Sequence, residues 1–279
     1  FYTEKMNVEA MNQMYLEADL RRALRRGEFE LYYQPRIALD GEQVAGVEAL
    51  LRWNHPVRGI VSPADFIPLA EEVGLIVPLG YWVIHQACAD MQAMNVRGVD
   101  PIHVAVNLSF KQFADEKFAQ TVGNIIDAAG IDARRLEFEL TETAIMSNVE
   151  DIERCMQIIR EIGPTFSLDD FGTGYSSFAH IQRLPIGALK IDRGFVQNVP
   201  TTHDDATIVK AMISLAHNLG LKVIAEGAET GEQVDFLREH ACDQVQGYYF
   251  SRPLPFVELL DRMQRTFMPA ALAASTITV

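Results

Sequence analysis

Cysteine is scarce in this chain of 279 residues, which contains only Cys88, Cys155 and Cys242. Their number is odd and none of them forms a CxxC pair, which argues against both a disulfide-stapled scaffold and a zinc ribbon. Few cysteines without a pairing pattern are typical of proteins in a reducing compartment. We therefore expect a cytoplasmic protein.

Long apolar stretches are also absent, because no hydrophobic run reaches the roughly 18 residues that a membrane-spanning helix needs. The chain shows no signal peptide either. We expect no membrane contact from this segment. Because the chain begins at Phe1 rather than at methionine, we expect it to be part of a longer protein, whose own anchoring to a membrane stays open.

Basic residues are in the minority: 24 lysines and arginines stand against 38 aspartates and glutamates, which gives a net charge of −14. Nucleic-acid polymers are bound largely through clustered Lys and Arg, so this balance argues against DNA or RNA as a partner. It does not argue against a small phosphorylated ligand, because a bound metal ion can supply positive charge locally.

Eight segments have the composition of β-strands. They are residues 29–35, 44–52, 102–108, 136–140, 165–169, 188–192, 223–226 and 244–249. Asp40-Gly41 between the first two is a hairpin signal, so this pair should be antiparallel. Helical periodicity separates every later pair, as in residues 208–219, whose apolar face begins at Ile208. The pattern predicts an α/β protein with a TIM-like (β/α)8 barrel and an antiparallel first strand; an open doubly wound sheet is the alternative.

The N-terminal residues have the composition of a polar helix that ends at Gly27. We interpret residues 1–19 as a linker helix from an upstream domain, residues 20–268 as the barrel domain and residues 269–279 as a flexible tail. For residues 16–26, a helix that covers the barrel is an equally good interpretation.

Each strand segment places a polar or charged residue on the inner face of the predicted barrel, mostly near its end. Side chains alternate across a strand, and catalytic groups of such barrels gather at the C-terminal strand ends. In chain order, the inward residues are Gln34, Glu48, Arg52, Asn107, Glu139, Asp169, Lys190, Asp192, Glu226 and Gln246. The repeated arrangement predicts one shared site rather than unrelated buried polar groups.

The oxygen-bearing members of this set indicate a metal site. Asp169 and Asp170 are adjacent like charges at the end of an apolar strand, which is costly unless a cation is shared between them. The full set of oxygen donors is Glu48, Asn107, Glu139, Asp169, Asp170 and Glu226. Such donors prefer Mg²⁺ or Mn²⁺. So many carboxylates favour two ions, and ions paired about 4 Å apart are typical of enzymes that cleave phosphate esters.

Lys190 is the one inward ammonium among these strand ends. Two roles are open for it: it orients water or stabilises charge on phosphate, or it is a Schiff-base nucleophile. The surrounding carboxylates would raise its pKa, which argues against the nucleophile. Gly172 and Gly174 indicate a mobile loop over the site, and Glu142 is placed to anchor it.

Eight short motifs follow one another along the chain. They are YYQP (32–35), EALLR (48–52), VNLS (106–109), ELTE (139–142), DDFGTGYSS (169–177), LKID (189–192), AEGAE (225–229) and QGYYFSRP (246–253). Together they resemble the EAL-domain family of bacterial cyclic-di-GMP phosphodiesterases, over residues 20–268. Two departures are Arg36, where the family more often has an aliphatic residue or lysine, and Ala228, where valine is usual.

The resemblance implies a TIM-like barrel that hydrolyses cyclic-di-GMP to linear pGpG with Mg²⁺ or Mn²⁺. Positions that resemble ligands of a first ion are Glu48, Asn107, Glu139 and Asp169, and those of a second ion are Asp169, Asp170 and Glu226. Glu226 resembles a general base and Lys190 a contact of the attacking water, with Glu48 as a further catalytic residue. Metal-generated hydroxide is the competing assignment for the nucleophile.

Substrate contacts are implied as well. The residues that resemble them are Gln34, Leu50, Arg52, Asp192, Glu229 and Gln246. Glu142 resembles the glutamate that holds the loop. Because some family members bind the nucleotide without turnover, a catalytically weak cyclic-di-GMP receptor is the alternative function. The resemblance also implies an upstream GGDEF or sensory domain, a homodimer and a role in bacterial second-messenger signalling.

Overall fold

A computed structural model describes residues 4–99, 102–145, 149–172 and 181–264. The helices in these ranges are α1 (Glu4–Arg26), α2 (Pro63–Glu72), α3 (Ile76–Val96), α4 (Phe118–Ala129), α5 (Glu142–Ile145), α6 (Val149–Ile162), α7 (Arg193–Val196), α8 (His203–Asn218), α9 (Gly231–Glu239) and α10 (Phe256–Gln264). The strands are β1 (Phe29–Ala38), β2 (Val44–His55), β3 (Gly59–Val61), β4 (His103–Asn107), β5 (Leu136–Thr141), β6 (Thr165–Phe171), β7 (Ala188–Ile191), β8 (Lys222–Glu226), β9 (Gln244–Gln246) and β10 (Leu254–Pro255). None of the helices described is both long and apolar enough to cross a membrane.

Eight of these strands close into a barrel. β1 pairs antiparallel with β2 on one side and with β9 on the other, with Gln34 opposite Glu48 and Arg36 opposite Gln246. From β2 onward, neighbours are parallel in the order β2, β4, β5, β6, β7, β8 and β9. The short strands β3 and β10 extend the outer edges of β2 and β1. The predicted TIM-like barrel with an antiparallel first strand is therefore confirmed, and the open doubly wound sheet is wrong.

The outward faces of the strands form the main core with the helices. In β5, Phe138 and Leu140 are buried in the same cluster as Met156 of α6. The apolar face of α8 is rotated from the predicted one, because Val209 is fully buried while Ile208 is 39% exposed. The buried stripe at spacings of three and four begins at Val209, one residue later than periodicity alone indicates.

The second half of α1 packs on the barrel. Leu20 and Ala23 are buried in a second apolar cluster with Phe29, Trp53 and Phe66. This part of the helix therefore covers the barrel, as one of the two interpretations of residues 16–26 requires. The predicted boundary at residue 19 lies within the continuous helix, and an origin in an upstream linker stays a prediction. The predicted tail, residues 269–279, lies outside the described residues.

Candidate active site

The ammonium group of Lys190 lies at the centre of the predicted site, and its side chain has no solvent exposure. Carboxylates from four other strands surround it. The distances from Nζ are 2.5 Å to Glu139 Oε2, 2.6 Å to Glu226 Oε1, 3.2 Å to Asp169 Oδ1 and 3.8 Å to Glu48 Oε2. The alternation of side chains along each strand thus brings five charged residues, far apart in sequence, into one cluster inside the barrel.

Glu48 is fixed by two amide side chains. Asn107 Nδ2 donates to Glu48 Oε1 at 2.7 Å, and Gln246 Nε2 donates to Glu48 Oε2 at 2.6 Å. Gln246 also donates to Gln34 Oε1 at 3.1 Å, and Gln34 donates to the carbonyl oxygen of Ser251 at 3.0 Å. Although burial opposes ionisation, the nearby ammonium and these donors lower the pKa of Glu48. Its carboxylate is therefore charged and held in one orientation.

A glycine contact keeps the ends of β8 and β9 together. A Cβ atom at Gly247 would overlap the backbone of Ala228, so a side chain at this position would force the two segments apart. Ala228 itself is fully buried. The close approach holds Glu226 opposite Gln246 in the register of the two strands.

The adjacent residues Asp169 and Asp170 interrupt the regular strand. Asp170 has a φ of 54°, and its backbone N–H donates to Asp169 Oδ1 at 2.9 Å. The pairing of β6 with β7 shifts register between Leu168 and Phe171. The strand thus continues past Asp169, where the sequence predicted its end, and the left-handed residue breaks the alternation of side chains. Strained backbone of this kind is often found at functional sites.

The site carries more negative than positive charge. Although burial alone would lower the pKa of Lys190, the surrounding carboxylates hold it well above its usual value, which favours the ammonium form and argues against a Schiff-base nucleophile. Burial raises the pKa of Glu226 to about 8; Lys190 opposes this shift, and repulsion from Asp169 and Glu48 adds to it. Burial and the same two carboxylates also raise the pKa of Glu139 well above its usual value. Added positive charge would relieve this repulsion.

The donor set fits a hard divalent cation in its chemistry, since every predicted ligand offers an oxygen atom. Within the described ranges, no three His, Cys, Asp or Glu side chains stand ready to hold a metal ion. Four of the carboxylates are directed at Lys190 instead. Metal binding therefore requires them to exchange part of that ion pairing for a cation.

Several predicted substrate contacts line a cleft of about 230 Å³ beside this cluster. Its lining includes Gln34, Glu48, Leu50, Arg193, Gln197, Glu226, Glu229, Gln246 and Tyr248. Two of the predicted contacts are not part of this lining: the Arg52 guanidinium lies 5.4 Å from the centre of the Tyr32 ring, and Asp192 caps α7 by accepting from Gly194 N–H at 2.9 Å. The sequence did not single out Arg193 or Tyr248 as members of the cleft.

Glu142, the first residue of α5, contacts the start of the predicted loop. Its side chain is buried, and its Oε2 accepts a hydrogen bond from the backbone N–H of Gly172 at 3.1 Å. Residues 173–180, which include Gly174, lie outside the described residues. The contact is the one that an anchor would make, and the anchoring role stays a prediction.

A second charged layer lies deeper in the barrel. Arg36, which is 1% exposed, donates to both oxygens of Glu137, at 2.8 and 3.1 Å, and to Glu139 Oε1 at 3.4 Å. Burial alone would raise the pKa of Glu137, but the charge and hydrogen bonds of Arg36 lower it to about 2. No sequence motif includes this pair. The spacing does indicate it, because Arg36 follows Gln34 by two residues and Glu137 precedes Glu139 by two, which places both on the inward face of their strands.

Comparison with known proteins gives curated relatives that are longer than this chain. The chain is 43% identical over 259 residues to cyclic di-GMP phosphodiesterase NbdA of Pseudomonas aeruginosa, a match that covers 93% of this chain and 33% of the relative. It is 41% identical over 260 residues to the bifunctional diguanylate cyclase/cyclic di-GMP phosphodiesterase MucR of the same organism, covering 93% of this chain and 38% of the relative. The chain thus spans a third or slightly more of the length of these relatives.

Similarity extends to solved structures. The structure of the PaMucR phosphodiesterase in complex with c-di-GMP superposes with a TM-score of 0.84 at 41% identity, covering 88% of this chain and 99% of that chain. The family model described as the EAL domain matches residues 17–253 of this chain. This match includes all of the inward strand-end residues described above. The chain therefore belongs to the EAL domain family.

Proposed function

We propose that this chain hydrolyses cyclic-di-GMP to linear pGpG in a reaction that depends on divalent metal ions. The observation that carries the proposal is the cluster around Lys190, where carboxylates from four strands lie within 4 Å of one ammonium. The activity in the names of the relatives supports the same substrate and reaction. Hydrolysis of a phosphodiester needs positive charge close to the phosphate. The carboxylates of this cluster can bind the divalent cations that supply it.

Two ions, Mg²⁺ or Mn²⁺, fit the number of oxygen donors. The residues proposed for the first ion are Glu48, Asn107, Glu139 and Asp169, and those for the second are Asp169, Asp170 and Glu226. When bound, such ions supply Lewis-acid stabilisation of the charge that develops on the phosphate. Their binding would also favour the ionised forms of carboxylates whose pKa is raised in the structure.

The hydrolysis forms a bond between a water oxygen and phosphorus and breaks the bond from phosphorus to the 3′ oxygen. The 3′ oxygen takes up a proton from solvent, which leaves pGpG with a 5′ phosphate and a free 3′ hydroxyl. Glu226 is the proposed acceptor of the proton that the water loses. Lys190 Nζ, 2.6 Å from Glu226 Oε1, favours the ionised form of that carboxylate and supplies positive charge beside the phosphate. Glu48, fixed by its two amide donors, supports the same cluster.

The cleft residues are proposed to hold the nucleotide. Gln34, Leu50, Glu229 and Gln246 line it directly. Arg52, near the end of β2, and Asp192, which precedes α7, are also proposed to contact the dinucleotide. Glu142 is proposed to anchor the loop through its contact with the backbone of Gly172.

The proposal also covers the neighbouring domain, the cellular location and the oligomeric state of this chain. We infer an upstream GGDEF or sensory domain from the share of the relatives that the chain spans and from the cyclase activity in the name of MucR. A cytoplasmic location in a bacterium is part of the same proposal. A homodimer is expected from the family resemblance, and light scattering of the purified chain would test it.

The deciding experiment is incubation of the purified chain with cyclic-di-GMP and Mg²⁺, Mn²⁺ or EDTA, with products resolved by chromatography. We expect metal-dependent formation of pGpG, and its loss in the Glu48→Ala variant with the fold intact. A Glu161→Ala variant on the exposed face of α6 is the matched control. Intact nucleotide that co-elutes with the protein would instead indicate the receptor, and near-normal rates in Glu48→Ala would contradict the assigned site.

A further inference from the structure

The carboxylate of Glu139 has two different partners, one above it and one below it in the barrel. Its Oε2 lies 2.5 Å from Lys190 Nζ, and its Oε1 lies 3.4 Å from Arg36 Nη1. Arg36 in turn is fixed by Glu137 through two hydrogen bonds in a fork geometry. The deeper layer therefore contacts the oxygen of Glu139 that faces away from Lys190.

We propose that Arg36, held by Glu137, is a positioning residue that turns Glu139 Oε2 toward Lys190 and the metal-binding end of the barrel. Arg36 lies beneath the cluster and is not among the proposed metal ligands or the residues of the cleft. Among the proposed ligands, it donates a hydrogen bond to Glu139, and its charge also helps to lower the pKa of Glu48. The inference rests on the proposed function in so far as Glu139 is a metal ligand there.

The barrel wall is shaped around this guanidinium. Gly46 lies opposite Arg36 in the pairing of β1 with β2. A Cβ atom at Gly46 would lie 3.0 Å from Arg36 Nη2 and 2.9 Å from the carbonyl oxygen of His103. Both contacts are tighter than ordinary van der Waals packing, so glycine leaves the room that the fork needs. A lysine at position 36 would supply the charge but not the two parallel hydrogen bonds to Glu137.

A purely structural ion pair would behave differently from a positioning device. Replacing a buried pair by apolar residues of similar volume is often neutral for stability, whereas removal of one partner leaves a buried charge uncompensated. The double variant Arg36→Met with Glu137→Leu therefore removes the fork while keeping the net charge and the packing. Partners that orient a metal ligand are worth about 10–100-fold in metal affinity or activity.

The test measures Mn²⁺ binding by titration calorimetry on the nucleotide-free protein, together with kcat, KM and the thermal unfolding midpoint. For the double variant we expect an unfolding midpoint near that of the wild type, Mn²⁺ affinity lower by about 10-fold or more, kcat lower by a similar factor and KM within about twofold. The Mn²⁺ affinity and kcat of Arg36→Lys should lie between those of the wild type and those of the double variant. Arg238→Met, which breaks an exposed pair with Glu42, is the control for loss of a positive charge.

Wild-type Mn²⁺ affinity and kcat in a folded double variant would overturn the inference. So would wild-type Mn²⁺ affinity in Arg36→Lys, because that variant keeps the positive charge but not the two parallel hydrogen bonds to Glu137. Failure of the proposed function gives a different result: the wild-type chain would produce no pGpG, while the calorimetric difference between wild type and double variant would still be measurable and would decide the role of Arg36.

Discussion

Lys190 and Glu139 meet across the interior of the barrel, with Nζ of one 2.5 Å from Oε2 of the other and neither side chain exposed to solvent. A buried ion pair carries a large desolvation penalty, so its presence at a strand end indicates a role beyond stability. The ammonium here neutralises part of a cluster that divalent ions would also neutralise. Lysine and metal therefore act on the same carboxylates.

Replacement of Lys190 by methionine separates these two sources of positive charge. Without metal, the variant leaves several buried carboxylates uncompensated, and we expect a loss of about 3–5 kcal/mol in the free energy of unfolding. Mn²⁺ should raise its melting temperature more than that of the wild type, while hydrolysis falls by about 100-fold or more. Lys222→Met, at the exposed start of β8, is the matched control. Equal Mn²⁺-induced shifts in variant and wild type would show that the lysine does not share the carboxylates with metal.

The backbone of Asp170 allows its conformation and its charge to be tested separately. Asparagine tolerates the left-handed region nearly as well as aspartate, whereas alanine does not. We expect Asp170→Asn to keep its stability and lose activity, and Asp170→Ala to lose about 1 kcal/mol of unfolding free energy in addition. Asp170→Gly should be at least as stable as the wild type. Full hydrolysis by Asp170→Asn would remove this residue from the metal ligands.

Much of the barrel, and many of the inward residues near the strand ends, can be predicted from the sequence. Both depend on the alternation of polar and apolar residues within single strands. Glu48, Lys190 and Glu226 each share the inward face of a strand whose other face is apolar, and the structure brings all three together. The antiparallel first pair follows from the Asp40-Gly41 turn. These signals need no knowledge of distances between strands, and they are therefore readable from one chain.

Other features depend on contacts between distant segments and are not readable in this way. The fork between Arg36 and Glu137 joins residues about 100 positions apart, and the family motifs name neither of them. The left-handed backbone at Asp170 belongs to a residue type that only occasionally adopts it. Ile208 is exposed because the buried stripe of α8 begins at Val209, although Met212 and Ala216 of the predicted face stay buried, and hydrophobic periodicity does not resolve so small a shift.

The contact between Glu142 and Gly172 predicts how the loop responds to mutation. Glu142→Ala removes the acceptor of the Gly172 N–H, so hydrogen exchange at that amide and in the following residues should accelerate and hydrolysis should fall. Glu142→Gln keeps an oxygen acceptor at the same position and should behave nearly like the wild type. If exchange in Glu142→Ala is unchanged, Glu142 does not anchor the loop, whatever happens to the rate.

The cysteines provide a prediction about reactivity. Burial raises the pKa of Cys88 and Cys242 to about 12 and that of Cys155 to about 11. A raised thiol pKa means that the reactive thiolate is scarce at pH 8, so the native protein should resist iodoacetamide. Intact-mass measurement should show no rapid modification of the native chain and three additions after denaturation. Fast alkylation of the native form would show that these thiols are more exposed than the structure indicates.

Leu20 decides whether the second half of α1 belongs to the barrel domain. Its side chain is 1% exposed and lies in the cluster with Trp53 and Phe66, so Leu20→Ala should lower the free energy of unfolding by about 2–5 kcal/mol. Met14, which is 71% exposed on the same helix, supplies the control: Met14→Ala should change stability by less than about 0.5 kcal/mol. Denaturant unfolding of both variants measures the difference. A negligible cost for Leu20→Ala would mean that this part of the helix detaches from the barrel in solution and that the domain begins after it.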